Sequence, residues 1–292
     1  MAVAEAFVPT VPRRGTARLG GASRALGRTT VADKVGLGLL AVLVLAGIFA
    51  PLIAPYNPIV PSGIPFTPPL TGGHLMGTDE IGFDIFSRVL YGLRTSLVGA
   101  VVVVTSGVVI GGTVGLVAGV VGGWVDTVLM RITDLFLALP GPVLAIAFVA
   151  ALGPSEFHTL LAVAIVWWPF YARIMRGEIR ALAARPHLEA ARLAGAGPYR
   201  RAFRHLLPGA VPAIVVTASL DVGNLVLTLA GLSFLGLGAP APAPELGAMA
   251  ARGLQFLLQE WWVPVMPALV VFLLTMASNL SGDGLNNAMS DK

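Results

Sequence analysis

The side chains that could carry chemistry do not assemble into a catalytic pattern. The four histidines are scattered over different predicted loops, and none has the serine and carboxylate partners that a hydrolase triad needs. They are His74, His158, His187 and His205. The chain has no cysteine, which excludes a thiolate nucleophile, a thiolate metal site and a disulfide. Asp79, Glu80 and Asp84 are clustered but lack the ligand spacing of an EF-hand calcium loop, so we predict neither a catalytic centre nor a metal site.

The two lysines of the chain do not support nucleotide hydrolysis. Neither Lys34 nor Lys292 follows a glycine in the Walker-A arrangement that cradles phosphates. We therefore predict that this chain is not an enzyme and binds no cofactor. Any ATP and Mg²⁺ that its work requires must be bound by a partner protein.

Two polar residues, Asp221 and Asn224, lie one helical turn apart within an apolar stretch. Ionisable groups inside a membrane are costly, and they usually face a polar cavity or a partner group. Two interpretations stay open: these side chains line a translocation path, or they make hydrogen bonds between helices. A second group of charges, Asp126, Arg131 and Asp134, has spacings that allow at most a local ion pair along one helix.

A basic segment, residues 186–208, separates two long apolar stretches and has a distinctive spacing. Glu189-Ala190-Ala191 is followed after three residues by Gly195, and nine further residues lead to His205, one residue before Leu207-Pro208. Pro186 suits the first turn of a helix, where its missing N–H costs nothing. Gly195 and Gly197 can end that helix, and Pro198 can begin another. The segment therefore predicts two short helices joined by a turn.

The composition indicates a membrane protein whose helices must position this segment. Apolar residues make up 56% of the chain and charged residues 12%, against roughly 25% charged in soluble proteins. Six stretches reach the ~20 residues that a bilayer requires. The predicted spans are Val35–Ala54, Thr95–Val121, Val128–Leu152, Phe157–Ile174, about Leu206–Leu235, and Trp261–Leu280.

The distribution of basic residues predicts the orientation of these spans. With the N-terminus inside, only Arg88, Arg94 and Arg252 fall outside, and the other sixteen lysines and arginines fall inside or at inner helix ends. Both termini and the basic segment are then cytoplasmic. The arginines are suited to contact with anionic lipid headgroups. No aromatic interleaving or nucleic-acid motif accompanies them, so nucleic acid is not a predicted partner.

We divide the chain at the predicted spans and tails. Residues 1–34 form a cytoplasmic tail, and 35–94 hold the first span with an external loop. That loop is predicted to be extended where it is rich in proline, from residue 55 to 69, and to carry an amphipathic helix within 71–94. Residues 95–285 form the core with the basic segment, and 286–292 form a second cytoplasmic tail.

The spacing in the basic segment resembles the "EAA loop" of ABC-type importer permeases, where a short cytoplasmic helix docks into a separate ATPase. Three further stretches are similar to the "C"-type permeases of the dipeptide/oligopeptide/nickel group. These are HLMGTDEIGFDIFSRVLYGLRTSL from residue 74, GGWVDTVLMRITDLFLALP from residue 122, and LSFLGLG from residue 232 with the glycine-rich end of the chain. The resemblance covers about Val35 to Asp291.

The resemblance implies an all-α, six-helix type I ABC importer permease fold in a bacterial inner membrane. It implies a second homologous permease as partner, two ATPases that bind ATP and Mg²⁺, and an extracytoplasmic substrate-binding protein. It also implies a coupling role for the basic segment and a path role for part of the fifth span. The coupling residues are Glu189, Ala190, Ala191, Gly195, Gly197, Arg201, His205 and Pro208, and the path residues are Asp221, Asn224 and Ser233.

The substrate that the resemblance implies is a di- or oligopeptide, with nickel or another small solute as the alternative. Two residues depart from the pattern of the group: Phe83 stands where arginine is usual, and Leu229 where an acidic residue is expected. Both lie in segments expected to face the substrate. A transporter driven by an ion gradient is the main rival, but it is expected to show inverted repeats and broken helices with intramembrane charges.

Overall fold

The computed structural model describes residues 30–289, and all of the regular structure in that range is helical. The predicted N-terminal tail up to residue 29 and the last three residues of the chain lie outside the described range. The helices are α1 (Val31–Ile48), α2 (Ala50–Ile53), α3 (Ile85–Val121), α4 (Gly123–Leu137), α5 (Gly141–Leu152), α6 (Glu156–Ala183), α7 (Pro186–Leu193), α8 (Pro198–Arg201), α9 (Leu207–Phe234), α10 (Leu246–Gly253) and α11 (Trp262–Met289). A π-helical turn, Ala202–Leu206, joins α8 to α9.

The described helices confirm an all-α membrane protein. Five of them are long and apolar enough to cross a membrane: α1, α3, α6, the stretch Pro198–Phe234 that contains α9, and α11. The pair α4 and α5 passes the same test together but is bent by 83° at its break. The six predicted spans correspond to these five helices and this bent pair.

The first span begins earlier than predicted because a capping box fixes its start. The Thr30 hydroxyl accepts a hydrogen bond from the Asp33 backbone N–H, and the Asp33 carboxylate accepts one from the Thr30 N–H. These reciprocal bonds satisfy two N–H groups that a helix start otherwise leaves free. The helix therefore starts at Val31 within the predicted tail.

The prediction of a separate amphipathic helix within 71–94 is wrong. The chain from Ala54 to Asp84 is a non-helical loop with two isolated β-bridges. Asp84 then caps a 37-residue helix by accepting a hydrogen bond from the Ser87 N–H at 2.7 Å. No proline or glycine breaks the chain between Ile85 and Tyr91, so the residues assigned to the amphipathic helix continue directly into the second span.

Three other span boundaries differ from the predictions. The third span is interrupted at Ala138–Pro140, because Pro140 and Pro142 lack the N–H groups that a continuous helix would use. The fourth span continues beyond Ile174 to Ala183, and the sixth continues beyond Leu280 to Met289. The last helix therefore extends through much of the predicted C-terminal tail.

The core of the bundle is centred on the contact between α3 and α6. Gly107, Gly111, Gly115 and Gly119 recur every four residues on the face of α3 that meets α6. A Cβ on Gly111 would collide with the carbonyl oxygen of Trp168, and one on Gly115 with that of Ala172. Small residues at this spacing let two helix backbones approach closely, which is a common way of packing in membranes.

A smaller hydrophobic cluster lies at the end of α6 from which the basic segment emerges. It joins α6 to the basic segment and to the start of α9. Its buried members are Met175, Ile179, Leu182, Leu188, Leu206, Ala210 and Ile214. The basic segment is thus attached to the bundle by apolar side chains at both of its ends.

Candidate functional site

The basic segment forms the two short helices and the turn that its sequence predicts. Helix α7 begins with Pro186 at its first position, and Gly195 follows its end with a φ of +80°, which favours glycine. Helix α8 begins at Pro198, with Gly197 as its N-cap residue. The predicted local structure is confirmed, including the roles of both prolines and of Gly195.

The two faces of α7 differ in what they contact. Leu188 is 5% exposed and packs into the smaller cluster, whereas Glu189 and Ala190 are exposed and Leu193 is 82% exposed. Between α7 and α8 lies a polar groove to which Glu189, Arg192 and Arg201 contribute. A rigidly seated helix that presents a carboxylate and an unpartnered leucine to solvent is suited to bind another protein.

The remaining predicted coupling residues lie where the segment re-enters the bundle. His205 is half-buried within the π-helical turn, and Pro208 is exposed in the first turn of α9. A proline ring clashes with the carbonyl four residues before it, here that of Arg204. The wider π-helical turn before Pro208 is the local adjustment that this clash predicts.

Ion pairs between α4 and α6 brace the same end of the bundle. Asp126 is 5% exposed and accepts hydrogen bonds from Arg176, at 2.8 Å from Nη2 to Oδ2, and from Arg180. The exposed Asp134 pairs with Arg173. The spacings allowed at most a local pair along one helix, and the carboxylates of α4 instead reach the arginines of α6 in a structural role.

Of the predicted path residues, Asp221 and Asn224 interact through a side-chain hydrogen bond, whereas Ser233 lies apart from both. Asp221 is 5% exposed and accepts hydrogen bonds from Trp167 Nε1 and from the Tyr171 hydroxyl, the latter at 2.9 Å. The geometry therefore favours the second interpretation of Asp221, an interhelical hydrogen bond. Asn224 is exposed on α9, while Ser233 is buried about 14 Å further along that helix, at a rise of ~1.5 Å per residue.

Ser233 belongs to a small polar cavity at the opposite end of the bundle from the basic segment. The cavity, about 30 Å³ in volume, is lined partly by Ser96, Thr159, Ser233 and Glu245. Glu245 is 6% exposed and caps α10 by accepting a hydrogen bond from the Ala248 N–H at 2.8 Å. Burial raises the pKa of this carboxyl above its ordinary value. Glu245 was not predicted from the sequence, and it carries no clear signal there, because glutamate is not among the residues preferred at an N-cap.

The acidic cluster of Asp79, Glu80 and Asp84 lies in and at the end of the loop before α3. Asp84 is fully buried, and its carboxylate lies 2.8 Å from His74 Nδ1. Asp79 accepts hydrogen bonds from the Ile81 and Phe83 N–H groups, and burial raises the pKa of this carboxyl. Among the described residues, no group of three or more histidines and carboxylates is placed to hold a metal ion.

Comparison with known proteins places this geometry in a family. The family described as the binding-protein-dependent transport system inner membrane component matches residues 111–292, which include α4 to α11. The chain belongs to this family. It is therefore a membrane permease component, and its basic segment lies within the matched region.

Several curated relatives of this permease are named for peptide transport. The probable D,D-dipeptide transport system permease DdpC of Escherichia coli K12 is 39% identical over 257 residues, which cover 87% of this chain and 85% of the relative. The dipeptide transport system permease DppC of the same strain is 41% identical and covers 88% of each chain. The glutathione transport system permease GsiD of Pectobacterium atrosepticum is 44% identical over 76% of this chain and 74% of the relative.

A solved structure supports the fold of this permease. A chain of the methionine ABC transporter MetNI, in an inward-facing conformation, matches with a TM-score of 0.52. The match covers 69% of this permease and 97% of that chain, at 22% sequence identity. This likeness shows the fold alone, and it confirms the predicted type I importer permease architecture.

Proposed function

We propose that this permease forms half of the translocation path of an ATP-driven importer for di- or oligopeptides. The observation that carries the coupling part is α7, which is seated on the bundle by Leu188 and exposes Glu189 and Leu193. The peptide substrate is supported by relatives of about 40% identity that are named for dipeptide transport.

In the proposed mechanism, α7 transmits the state of a separate ATPase to the bundle. ATP binding closes the ATPase subunits, and α7 moves with them. Helix α6 ends only two residues before α7, and the smaller cluster joins both helices to the start of α9, so displacement of α7 tilts α6 and α9 together. The ATPase must bind α7 more tightly in one of its states, since equal affinity for both would shift no conformational equilibrium.

The proposed assembly contains a second homologous permease, two ATPase subunits that bind ATP and Mg²⁺, and an extracytoplasmic binding protein. The permease pair is proposed to be a heterodimer of two homologous chains. Both termini and the basic segment are cytoplasmic, in accord with the distribution of lysine and arginine. Catalysis of ATP hydrolysis is assigned to the partner subunits.

The proposed path runs along the exposed face of α9. Asn224, Leu227 and Phe234 recur there at helical spacing, and this chain leaves them uncovered. A second permease placed opposite would enclose a path between the two chains. Asp221 lies behind this face and holds α9 against α6, and Ser233 lies at its extracytoplasmic end.

Uptake by the complete complex tests this proposal. The permease is purified with its own ATPase and partner subunits, reconstituted into vesicles, and supplied with binding protein, labelled dipeptide, tripeptide or Ni²⁺, with and without ATP. We expect ATP-dependent uptake of peptide. Uptake without ATP would overturn the coupling, and uptake of Ni²⁺ alone would overturn the peptide assignment.

A pair of charge reversals tests the role of α7 in the same vesicles. Glu189→Lys is expected to lower uptake roughly tenfold and to weaken retention of the ATPase subunit, a size within the usual range of coupling free energies. Asp283→Lys is the control, because Asp283 is an exposed carboxylate on α11, outside the basic segment. Equal uptake by the Glu189→Lys variant and the wild type would show that Glu189 does not take part in the contact with the ATPase.

A further inference from the structure

An apolar groove lies between the last two turns of α3 and the second half of the basic segment. Its volume is about 430 Å³. Its lining includes Leu116, Val117, Val120, Val121, Tyr199 and Phe203. Tyr199 is 81% exposed and Phe203 is 60% exposed, although both are large aromatic side chains. The groove adjoins the polar groove beside Glu189, because Val120 and Pro198 contribute to both.

The groove continues a face of α3 that suits contact with lipid. The exposed valines of α3 recur at helical spacing from Val98 to its end. They include Val98, Val102, Val109, Val117 and Val121. An apolar stripe that stays exposed along a membrane-spanning helix is solvated by acyl chains or covered by another span. The groove opens where this stripe ends, beside the last turns of α3.

Two arginines adjoin lining residues of the groove in the sequence and have no partner among the described residues. Arg200 and Arg204 directly follow the lining residues Tyr199 and Phe203, and both are exposed. They are four residues apart, so their guanidinium groups lie on one side of the helical turn. The ion pairs of the described part of the chain involve other arginines, namely Arg88, Arg173, Arg176 and Arg180.

We propose that this groove binds an anionic phospholipid. Arg200 and Arg204 hold its phosphate, and one acyl chain lies between Tyr199, Phe203 and the end of α3. The charge of the arginines selects an anionic headgroup, and the apolar lining continuous with the valine stripe selects a lipid tail. In the proposed orientation of the chain, this lipid comes from the cytoplasmic leaflet. The binding site itself does not depend on that orientation.

The location of this lipid gives it a means to influence coupling. The lipid would be wedged between α3 and α8, and α8 follows α7 after a four-residue turn. A bound lipid therefore restrains the segment that carries Glu189. We therefore expect anionic lipid both to bind the complex and to change its rate of ATP hydrolysis.

Lipid retention measured by native mass spectrometry tests the proposal. The purified complex containing the full chain is titrated in neutral detergent with phosphatidylglycerol or with phosphatidylcholine of the same acyl chains. We expect wild-type protein to retain phosphatidylglycerol preferentially. The double variant R200Q/R204Q is expected to bind it about tenfold to thirtyfold more weakly, because two cationic contacts are lost.

A matched control removes two other exposed arginines, in R131Q/R185Q, and is expected to retain the wild-type affinity. Phe203→Ser keeps both arginines but shortens the apolar wall, and it is expected to weaken binding of both lipids. Equal binding of the two lipids by wild-type protein would overturn the proposal without reference to any variant. Equal binding of phosphatidylglycerol by R200Q/R204Q and by the control variant would also overturn the proposal.

A labelling experiment separates lipid from a protein occupant. The chain has no native cysteine, so Tyr199→Cys supplies a single thiol at the groove. Phosphatidylglycerol is expected to protect this thiol from a maleimide, whereas phosphatidylcholine is not. Protection that requires the ATPase or the second permease and is insensitive to lipid would assign the groove to that partner and overturn the proposal. Neither measurement depends on transport, so its failure is distinguishable from failure of the proposed function.

Discussion

At the scale of single residues, Asp221 shows what its surroundings decide. The sequence marks it as a charge inside a span but leaves a path role and a structural role equally open. The structure places two donors, Trp167 Nε1 and the Tyr171 hydroxyl, on the same carboxylate oxygen. Asp221 therefore holds α9 to α6, and the exposed Asn224 is the better candidate for contact with substrate.

Replacing Asp221 tests this structural role. Asp221→Ala is expected to lower the free energy of unfolding by about 1–3 kcal/mol, because both donors lose their acceptor in a buried site. Asp221→Asn keeps an acceptor oxygen and is expected to lose less. Thermal unfolding of the purified protein in detergent measures both. A variant Asp221→Ala as stable as the wild type, with transport abolished, would instead support a direct path role.

Phe83 stands where the dipeptide/oligopeptide/nickel permease group usually has arginine, and its packing shows the role of the phenyl ring at this position. Phe83 is 5% exposed, and the guanidinium carbon of the buried Arg88 lies 4.5 Å from the centre of its ring. Arg88 also donates a hydrogen bond to the Pro58 carbonyl. A cation over an aromatic face is an attractive contact in a desolvated site. Phe83 is thus part of the interior of the external loop and is not free to contact a substrate.

At the scale of helices, the sequence indicates that α3 packs closely against another helix but does not identify α6 as that helix. The abundance of glycine indicates close helix packing, and the four-residue spacing from Gly107 to Gly119 is a signal that could have located it. Only the tertiary structure shows which helix packs against that row of glycines. The collisions that a Cβ would make with Trp168 and Ala172 identify it as α6.

The ion pair of Asp126 is the second contact at this scale. Asp126→Ala is expected to destabilise the protein by about 2 kcal/mol, the usual effect of losing a charge-assisted hydrogen bond, since Arg176 and Arg180 remain partly exposed. It is also expected to reduce peptide uptake relative to ATP hydrolysis, because α4 no longer follows α6.

Asp134→Ala is the control for the Asp126 variant. Its pair with Arg173 is about half exposed at both side chains, and exposed pairs contribute only ~0–1 kcal/mol. Denaturation in detergent and the ratio of uptake to ATP hydrolysis are compared for both variants. If Asp126→Ala and Asp134→Ala behave alike in both measurements, the buried pair is not a link between the two helices.

At the scale of the whole molecule, the bundle is incomplete by itself. The apolar windows of its candidate spans are only 17% to 44% buried within the chain. The exposed remainder must contact lipid or another protein, because large apolar surfaces are not left in water. The family to which the chain belongs is an inner membrane component of a transport system, where both lipid and other proteins can cover this surface.

The orientation of the bundle is testable because the chain has no cysteine. Ile64→Cys in the external loop and Leu193→Cys on α7 each introduce one thiol at a position about 80% exposed. In intact cells that lack the ATPase subunits, which would cover α7, a membrane-impermeant maleimide is expected to label Ile64→Cys at once and Leu193→Cys only after permeabilisation. The positive-inside distribution of charge is the reason for this expectation. The reverse pattern of labelling would place the basic segment outside.

The sequence by itself determined the properties that depend on composition and local spacing. Apolar stretches of sufficient length predict spans whatever their neighbours, and Pro186, Gly195 and Pro198 predict the local structure of the basic segment because each acts on its own backbone. The resemblance to importer permeases rests on the same local patterns, and the family match confirms it.

Only the tertiary structure decided which elements meet. The partners of Asp126 and Asp221 and the groove beside Tyr199 depend on contacts between residues far apart in the chain. A charge or an aromatic ring has the same local signature whether it faces a helix, a lipid or a substrate. Its energetic role depends on what surrounds it, and that is set by the packing of the whole bundle.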